Sequence, residues 1–276
     1  MIRARLMQWF VAILLRDARI AAGLTQAEAA QEFGCHPHTI YYWEKGERHP
    51  RPSEVFQIAD TYRLSEELKN YLKMILEHRG SKLLQADARF HALTLAKAEL
   101  HSGVIFKYEP HLIPGPLQTR DYHFLVLKVA EKLTDFVAQQ GWEFKFDRQM
   151  KLRKRKRRPK IQYLIGDSAM YGLRRLSDSV RREQVNKLLQ ESEQPDTDLR
   201  VIAEYLPGRN TPFSIYEPGE SKTAPPTFIY SEILHGSWCI EEDTLVSLYH
   251  DAGQAMWQLG IPLKEFLNEY CRDLLA

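Results

Sequence analysis

Cysteine is scarce in this chain of 276 residues, which has only three cysteines: Cys35, Cys239 and Cys271. They lie far apart, none belongs to a CxxC pair, and no set of cysteines and histidines has the spacing of zinc ligands. The sequence therefore argues against a disulfide framework and against a zinc site. A reduced, cytoplasmic protein is the simplest interpretation.

A long apolar run is also missing. The most hydrophobic stretch, MIRARLMQWFVAILLRDAR at residues 1–19, has about ten mostly apolar residues after its arginines. A run of this length is too short to span a bilayer, which requires roughly 20 residues. It resembles the start of a secretory signal peptide, but Arg16, Asp17 and Arg19 follow directly. Because the apolar spacing continues through Ile20 as one helix face, we expect a core helix and no membrane contact, with a signal peptide as the lesser alternative.

Recognisable catalytic motifs are absent from the sequence as well. It contains no HExxH, no GxSxG and no glycine-rich dinucleotide turn. The segment GESKT at 219–223 resembles a phosphate-binding loop, but Ser221 stands where the P-loop pattern requires glycine and Ala-Pro-Pro follows instead of a helix. We therefore expect no catalytic residue, no metal and no cofactor. Distant acids could still converge, as in a metal-dependent nuclease; the candidates are scattered: Glu204, Glu232, Glu241 and Glu242.

What the chain does have is enough apolar sequence for substantial cores. At 44% hydrophobic residues, its length allows one large domain or two ordinary ones. Residues 22–53 predict two short helices joined by a tight turn. Thr25 and Glu28 form the T-x-x-E capping box of a helix over residues 26–33, and Gly34 permits the turn after it.

The next helix should begin at Pro37, whose fixed φ suits a first helical turn, and end near Lys45 with Gly46 as its stop. Gly23 should likewise end the preceding first helix. Ser53 is the expected cap of a fourth helix. A fifth amphipathic helix completes the pattern.

The segment LRDARIAAGLTQAEAAQEFG, followed by TIYYWEKGER, resembles the helix-turn-helix of XRE-type (Cro/repressor-like) regulators over about residues 14–52. The resemblance implies a five-helix DNA-binding domain at residues 1–80. In such domains the third helix enters the major groove and the second crosses the DNA backbone. It also implies that Glu44 pairs with Arg19 of the first helix instead of facing phosphate.

This geometry implies contacts for individual residues. Ile40 and Trp43 should face the core, Tyr41 could serve either face, and the predicted base contacts are Pro37, His38, Thr39 and Tyr42. His38 and Thr39 can donate or accept hydrogen bonds at base edges. Ordinary packing on an exposed helix is the alternative for these side chains. The predicted phosphate contacts are Gln26, Lys45, Arg48 and Arg51.

The chain has little excess charge of either sign, because its formal net charge is only +2. Residues 1–80 have 11 basic and 10 acidic side chains, or +1, so attraction to DNA must come from their arrangement. One run is an exception, because nine cations and no acid lie between Arg148 and Lys160. We expect a helix end and an exposed loop, which could be simply solvated. The alternative is a set of auxiliary phosphate contacts: Arg155, Lys156, Arg157 and Arg158.

Residues 81–276 predict a mixed α/β domain. The strand-like runs are VIFKY, IQYLI, LRVIAEYL, PFSIYE and PTFIYSEI, with helices from about 119 and over 178–191. Two amphipathic helices close the chain, and their apolar stripes are expected to be core: Leu245, Leu248, Tyr249, Ala252, Met256 and Leu259, then Leu263, Phe266, Leu267, Tyr270 and Leu274.

A second resemblance covers residues 87–275. EPHLIPGPLQTRDY, together with DRQ at 147–149, is similar to the vPGLLQTxxYA and RQ elements of the domain that follows XRE-type helix-turn-helices in Scr1-like, antitoxin-like regulators. Pro116 replaces the usual leucine. The resemblance implies a small protein partner encoded nearby.

These observations predict a cytoplasmic, sequence-specific transcriptional regulator that binds an operator in double-stranded DNA as a homodimer. Its C-terminal domain would bind a small protein or a ligand. The alternative is an antitoxin-like protein that neutralises a small protein partner and regulates its own operon. A third possibility is a DNA-directed enzyme, although we expect no catalytic activity. The operator sequence and the direction of regulation stay open.

Overall fold

The structure, a computed structural model, describes the following parts of the chain: residues 4–78, 85–86, 88–130, 134–204, 210–233 and 236–275. The chain divides into two units. The first unit comprises Met1–Ser102 and Tyr216–Val246, and the second comprises Gly103–Ile215 and Ser247–Ala276. The predicted domain boundary at residue 80 lies outside the described residues. No helix in the described part of the chain is both long and apolar enough to cross a bilayer.

The helices of the described residues are α1 (Arg5–Ala21), α2 (Gln26–Glu32), α3 (Pro37–Lys45), α4 (Val55–Thr61), α5 (Glu66–His78), α6 (Ala88–His101), α7 (Arg120–Ala130), α8 (Asp135–Arg153), α9 (Asp167–Gly172), α10 (Asp178–Ser192), α11 (Asp243–Leu259) and α12 (Leu263–Tyr270). The strands are β1 (Gln85–Ala86), β2 (Val104–Glu109), β3 (Lys160–Gly166), β4 (Thr197–Ile202), β5 (Phe213–Glu217), β6 (Phe228–Ile233), β7 (Gly236–Ile240) and β8 (Ile261–Pro262). The predicted fold class is confirmed: a five-helix N-terminal region, α1 to α5, precedes a mixed α/β part.

The local signals around α2 and α3 act as predicted. Thr25 Oγ1 accepts a hydrogen bond from the Glu28 backbone N–H at 3.2 Å, and Glu28 Oε2 accepts one from the Thr25 N–H at 2.7 Å. This closes the capping box. Gly46 ends α3 with a φ of 74°, and Gly23 and Gly34 also have positive φ, a region that other residues rarely enter.

Helix α1 is buried in the first unit, which confirms the core-helix interpretation of the apolar run. Its buried side chains include Leu6, Phe10, Leu14 and Ala18. The Glu241 carboxylate, just after β7, accepts hydrogen bonds from the Arg5 and Leu6 backbone N–H groups at 3.0 and 2.8 Å. These bonds satisfy two donors that every helix leaves free at its start. Strand β7 pairs antiparallel with β1 and with β6.

The predicted cap at Ser53 is wrong. Residues Pro52–Glu54 form a short 3-10 turn before α4, and Ser53 lies inside that turn. Glu54 Oε2 instead accepts a hydrogen bond from the Arg51 backbone N–H at 2.5 Å. The fixed φ of Pro52 starts the helical turn two residues earlier than a cap at Ser53 would.

The second unit contains a parallel arrangement of β2, β3 and β4, with β8 antiparallel to β4. In the register of the first pair, Val104 lies opposite Lys160 and Glu109 opposite Ile165. At the end of β3, a Cβ on Gly166 would collide with the backbone carbonyl of Pro110. Glycine is therefore required where β3 passes the loop after β2.

The predicted core stripe of α11 is partly wrong, because three of its six side chains are exposed. Leu245, Leu248 and Leu259 are 39%, 58% and 41% exposed. Met256, a member of the predicted stripe, is buried, and so are Gly253 and Trp257, which lie outside it. A Cβ on Gly253 would lie 3.2 Å from Cε1 of Phe106, so the glycine allows this other face to approach the strands closely. The stripe of α12 is confirmed for Leu263, Phe266, Leu267 and Leu274, whereas Tyr270 is 48% exposed.

Candidate nucleic-acid interface

Helix α3 divides its side chains between the core and the surface as predicted. Ile40 and Trp43 are only 1% and 5% exposed, and Tyr41 is 42% exposed. The four residues predicted to contact bases comprise two exposed and two half-buried side chains: Pro37 and His38, then Thr39 and Tyr42. None of the four residues is therefore buried in the core.

A row of rings runs along this surface. The His36 and His38 ring centroids are 4.9 Å apart, and those of His38 and Tyr42 are 6.5 Å apart. The Arg48 guanidinium lies 4.9 Å from the centroid of the Tyr42 ring, at cation–π distance. His36 also caps the helix, because its Nδ1 accepts a hydrogen bond from the His38 backbone N–H at 3.2 Å. A histidine thus replaces the usual serine or threonine cap without loss of the bond.

A second ring–cation pair lies on the neighbouring stripe of α3, where the Lys45 ammonium is 5.7 Å from the centroid of the Tyr41 ring. The predicted phosphate contacts Lys45, Arg48 and Arg51 are all exposed. The structure therefore places two of these cations beside aromatic rings of α3. This combination of hydrogen-bonding side chains with flanking cations suits base edges and adjacent phosphates.

The predicted pair between α1 and α3 is confirmed. Arg19 Nε and Nη2 donate to the two Glu44 carboxylate oxygens at 2.5 and 3.1 Å, and Arg19 Nη1 donates to the Leu24 carbonyl at 2.6 Å. The two side chains are only 12% and 7% exposed. The Glu44 carboxylate raises the pKa of Arg19. Helix α3 is thus fixed in orientation by a bidentate ion pair.

Gln26, a predicted phosphate contact, is the first residue of α2, and its amide already has a hydrogen-bond partner. Its side chain is half-buried, and Nε2 donates to Glu44 Oε2 at 2.8 Å. The amide therefore completes the hydrogen bonding of the carboxylate. A contact with phosphate stays a prediction, and it would have to compete with this bond.

The basic run forms the end of α8 and the loop before β3, as predicted, but its cations are not equivalent. Lys156 and Arg157 are exposed, and in the described chain neither has a hydrogen-bond or ion-pair partner. Arg155 and Arg158 are half-buried. Arg158 Nη1 donates to Gln194 Oε1 at 3.1 Å, and burial lowers the pKa of Arg155. Only part of the predicted set is therefore free to meet phosphate.

The segment IPGPLQT and the DRQ triplet, which carry the second resemblance, meet in the second unit. Gln149 is 7% exposed, and its Nε2 donates to the carbonyls of Gly115 and Gln118, both at 3.3 Å. Its Oε1 accepts a hydrogen bond from Lys187 Nζ at 2.8 Å. Gln184 Oε1 accepts from the Thr119 N–H at 2.9 Å. The loop is therefore held by buried side chains from α8 and α10.

Sequence reasoning missed a half-buried cation, Lys145, beside this loop. Lys145 Nζ donates to Gln118 Oε1 at 2.5 Å and lies 2.8 Å from His123 Nδ1. His123 Nε2 is 3.2 Å from the Ala138 carbonyl, so Nε2 carries the proton and Nδ1 accepts from the ammonium. Burial, together with Lys145, lowers the pKa of His123 to about 4. Burial also lowers the pKa of Lys187 to about 8. A lysine on a predicted helix carries no local sign of such a role.

Metal ligands are not assembled in the part of the chain that the structure describes: no group of three or more histidine, cysteine, aspartate or glutamate side chains could hold an ion there. Burial raises the pKa of the thiols of Cys35 and Cys271. Their ordinary state is the protonated thiol, which is a poor nucleophile.

Two protein families match the chain, each over a different region. Residues 11–72 match a helix-turn-helix domain family, and residues 92–265 match a family described as a domain of unknown function, DUF5753. No curated protein matches. One solved structure, that of the archaeal chromatin protein TrmBL2, is aligned over 92% of this chain and 98% of that chain, at 13% identity and a TM-score of 0.34. A likeness at that TM-score supports no statement about fold or function. The helix-turn-helix supports a DNA-binding protein, and the match over residues 92–265 shows that the chain belongs to the DUF5753 family.

Proposed function

We propose that this protein is a sequence-specific transcriptional regulator that reads an operator with α3. The observation that carries the proposal is the exposed face of that helix. It presents the His38 and Tyr42 rings beside the cations Arg48 and Lys45, and the Arg19–Glu44 pair fixes its orientation. Rigid placement matters because base-edge hydrogen bonds require defined distances and angles.

In this mechanism the two kinds of side chain have separate tasks. His38 and Thr39 provide hydrogen-bond donors and acceptors for base edges, so they set the preferred sequence. Arg48 and Arg51 contact phosphates and add affinity for any duplex, with a strong dependence on salt. The C-terminal domain would then bind the molecule that controls DNA binding.

The test begins with selection of preferred duplexes from a random pool. We expect the double variant His38→Ala/Thr39→Ala to lose about 1 to 3 kcal/mol of discrimination per lost base contact. Arg51→Ala should weaken preferred and random duplexes alike. Gln31→Ala, an exposed change on α2, is the matched control. Unchanged discrimination in the double variant would mean that another face of the protein reads the bases, and a pool without any preferred duplex would rule out sequence-specific binding.

An antitoxin-like role is the second candidate. The observation that favours it is a set of large apolar side chains that are exposed on α7 and α8: Leu125, Phe136, Val137 and Phe146. Exposed apolar surface often marks a site for a protein partner. Purification of the tagged chain from its own cells should then yield one small protein. Phe136→Ser/Phe146→Ser should lose that protein and keep DNA binding.

We further propose a cytoplasmic homodimer without catalytic activity. A two-fold symmetric operator requires two copies of the reading helix, and Leu248 on α11 is 58% exposed and available for a contact between copies. Sedimentation of wild type and Leu248→Glu tests the dimer. Metal-dependent cleavage of nucleic acid by the purified protein would contradict the proposal that it has no catalytic activity.

A further inference from the structure

A cleft of about 680 Å³ lies in the first unit, between α1, the end of α3 and the segment 222–226. Segment 222–226 is held by hydrogen bonds to side chains of α1 and α6. Trp9 Nε1 donates to the Thr223 carbonyl at 2.9 Å, and His101 Nδ1 is 2.9 Å from Thr223 Oγ1. The walls of the cleft are therefore built before any ligand arrives.

The charges that line the cleft do not cancel. Arg5 pairs with Asp243 at 2.9 Å, and the Glu44 carboxylate is satisfied by Arg19. Three further cations also line it: Arg16, Lys45 and Lys222. Within the described residues, none of these three has a carboxylate partner. An excess of positive charge is thus concentrated here, although residues 1–80 together are nearly neutral.

The remaining lining is largely apolar. Trp9, Ile13, Tyr41 and Pro226 contribute rings and aliphatic surface. The volume is within the range of about 300 to 1,000 Å³ that is usual for small-molecule sites. The cleft is therefore too large for an inorganic ion alone, and it combines cations with surface that an apolar body can cover.

We propose that this cleft binds an organic anion, a molecule with an aromatic or alicyclic body and a carboxylate, sulfonate or phosphate group. Lys45 and Gln26 line the cleft and are also predicted phosphate contacts. A bound anion would neutralise Lys45 and occupy the space beside α3, so it would lower the affinity for DNA. Binding of the anion stands independently, whereas its effect on DNA rests on the proposed function. By linkage, DNA would weaken binding of the anion by the same factor.

The test uses 1-anilinonaphthalene-8-sulfonate, a fluorescent aromatic anion, with the full chain. The cleft variant is Arg16→Gln/Lys222→Gln. The control is Lys73→Gln/Lys264→Gln, which removes the same charge from two exposed surface pairs. We expect about tenfold weaker probe binding by the cleft variant, because two charge-assisted contacts are lost, and no change in the control. The uncharged analogue N-phenyl-1-naphthylamine should bind weakly, and its affinity should be the same for wild type and for both variants.

DNA binding supplies the second arm. Saturating probe should lower the DNA affinity of wild type several-fold and leave that of the cleft variant unchanged. Equal probe affinity in the cleft variant and the control would overturn the site. If the cleft variant then also lost DNA affinity, the cleft would be a track for DNA phosphates. If the probe bound as expected but the protein selected no duplex, the proposed function would fail while the anion site stood.

Discussion

The exposed face of α3 and the IPGPLQT loop differ in how their polar groups are used. The side chains of His38 and Lys45 on α3 and of Arg48 just after it are exposed, and the two cations lie beside aromatic rings. In the loop, Gln118 and Thr119 are only 6% and 4% exposed and are hydrogen-bonded to side chains from other helices. Both regions have conspicuous sequence motifs. The polar groups of α3 are exposed at the surface, whereas those of the loop are buried in hydrogen bonds within the protein.

The difference indicates what each motif does. A buried polar group costs free energy unless it is bonded, so a fully bonded buried network stabilises one arrangement of the chain. Exposed polar groups contribute little to stability and are free to bind another molecule. The IPGPLQT motif therefore belongs to the scaffold of the second unit, whereas the α3 motif leaves polar groups on the surface, where we propose that they contact DNA.

Glu44→Ala tests whether the α3 surface depends on its buried support, and it should have the largest effect. It leaves the Arg19 guanidinium and the Gln26 amide without their partner, which should lower the free energy of unfolding by about 3 to 5 kcal/mol. Denaturant titration followed by tryptophan fluorescence measures this. Glu47→Ala, an exposed change just after α3, should stay within about 0.5 kcal/mol of wild type. Equal effects of the two substitutions would contradict a buried ion pair.

Gln149→Leu should damage the scaffold next most. The substitution removes the acceptor of Lys187 and the donor that satisfies two buried carbonyls, so we expect a loss of about 2 to 3 kcal/mol. Gln140→Leu, an exposed change on the same helix, is the control. DNA affinity per folded molecule should be unchanged in both. A strong effect on DNA selectivity instead would mean that the loop belongs to the reading surface.

The scaffold should also respond to acid through His123. Burial holds its pKa at about 4, below the ordinary 6.5, so the folded protein keeps the ring neutral while the unfolded chain takes up a proton. The stability that neutral His123 contributes is fully present at a pH above the pKa of the unfolded chain. It is lost as the pH falls toward the pKa of the folded protein. We expect unfolding to be about 2 kcal/mol easier at about pH 5 than at about pH 7.5 because of this residue. His123→Gln should remove that part of the pH dependence. If the stability of the variant and of wild type changed identically with pH, the role of His123 would be contradicted.

Substitutions in the basic run, residues 148–160, should have the smallest effect. Lys156→Ser/Arg157→Ser should flatten the plot of log DNA affinity against log salt by about 1 to 2 units, at about 0.9 per phosphate contact. Sequence preference should persist. Arg155→Ser/Arg158→Ser should change the slope less, because these side chains are half-buried. Slopes equal to that of wild type in both variants would assign the run to solvated surface or to an acidic protein partner.

Local signals were predictable because they act within one helical turn. The capping box at Thr25 and Glu28 and the stop at Gly46 follow from spacing that is visible in the sequence, whereas the burial of Trp43 was implied by the resemblance to XRE-type regulators. Predictions that depended on which helix face meets another element were less secure. Leu248 has the spacing of a core residue, but Gly253 lets the opposite face of α11 pack closely.

The sequence by itself determined the order of the N-terminal helices, the side chains that α3 exposes and, through the family pattern, the Arg19–Glu44 pair. Tertiary structure alone decided which distant residues share a site. Lys187 reaches Gln149 across 38 positions, and the segment around Thr223 meets Trp9 across 214. Capping and periodicity are short-range effects, whereas these contacts depend on how whole helices and strands pack. The Lys145–His123 contact and the cationic cleft beside α3 therefore had no signature in the sequence.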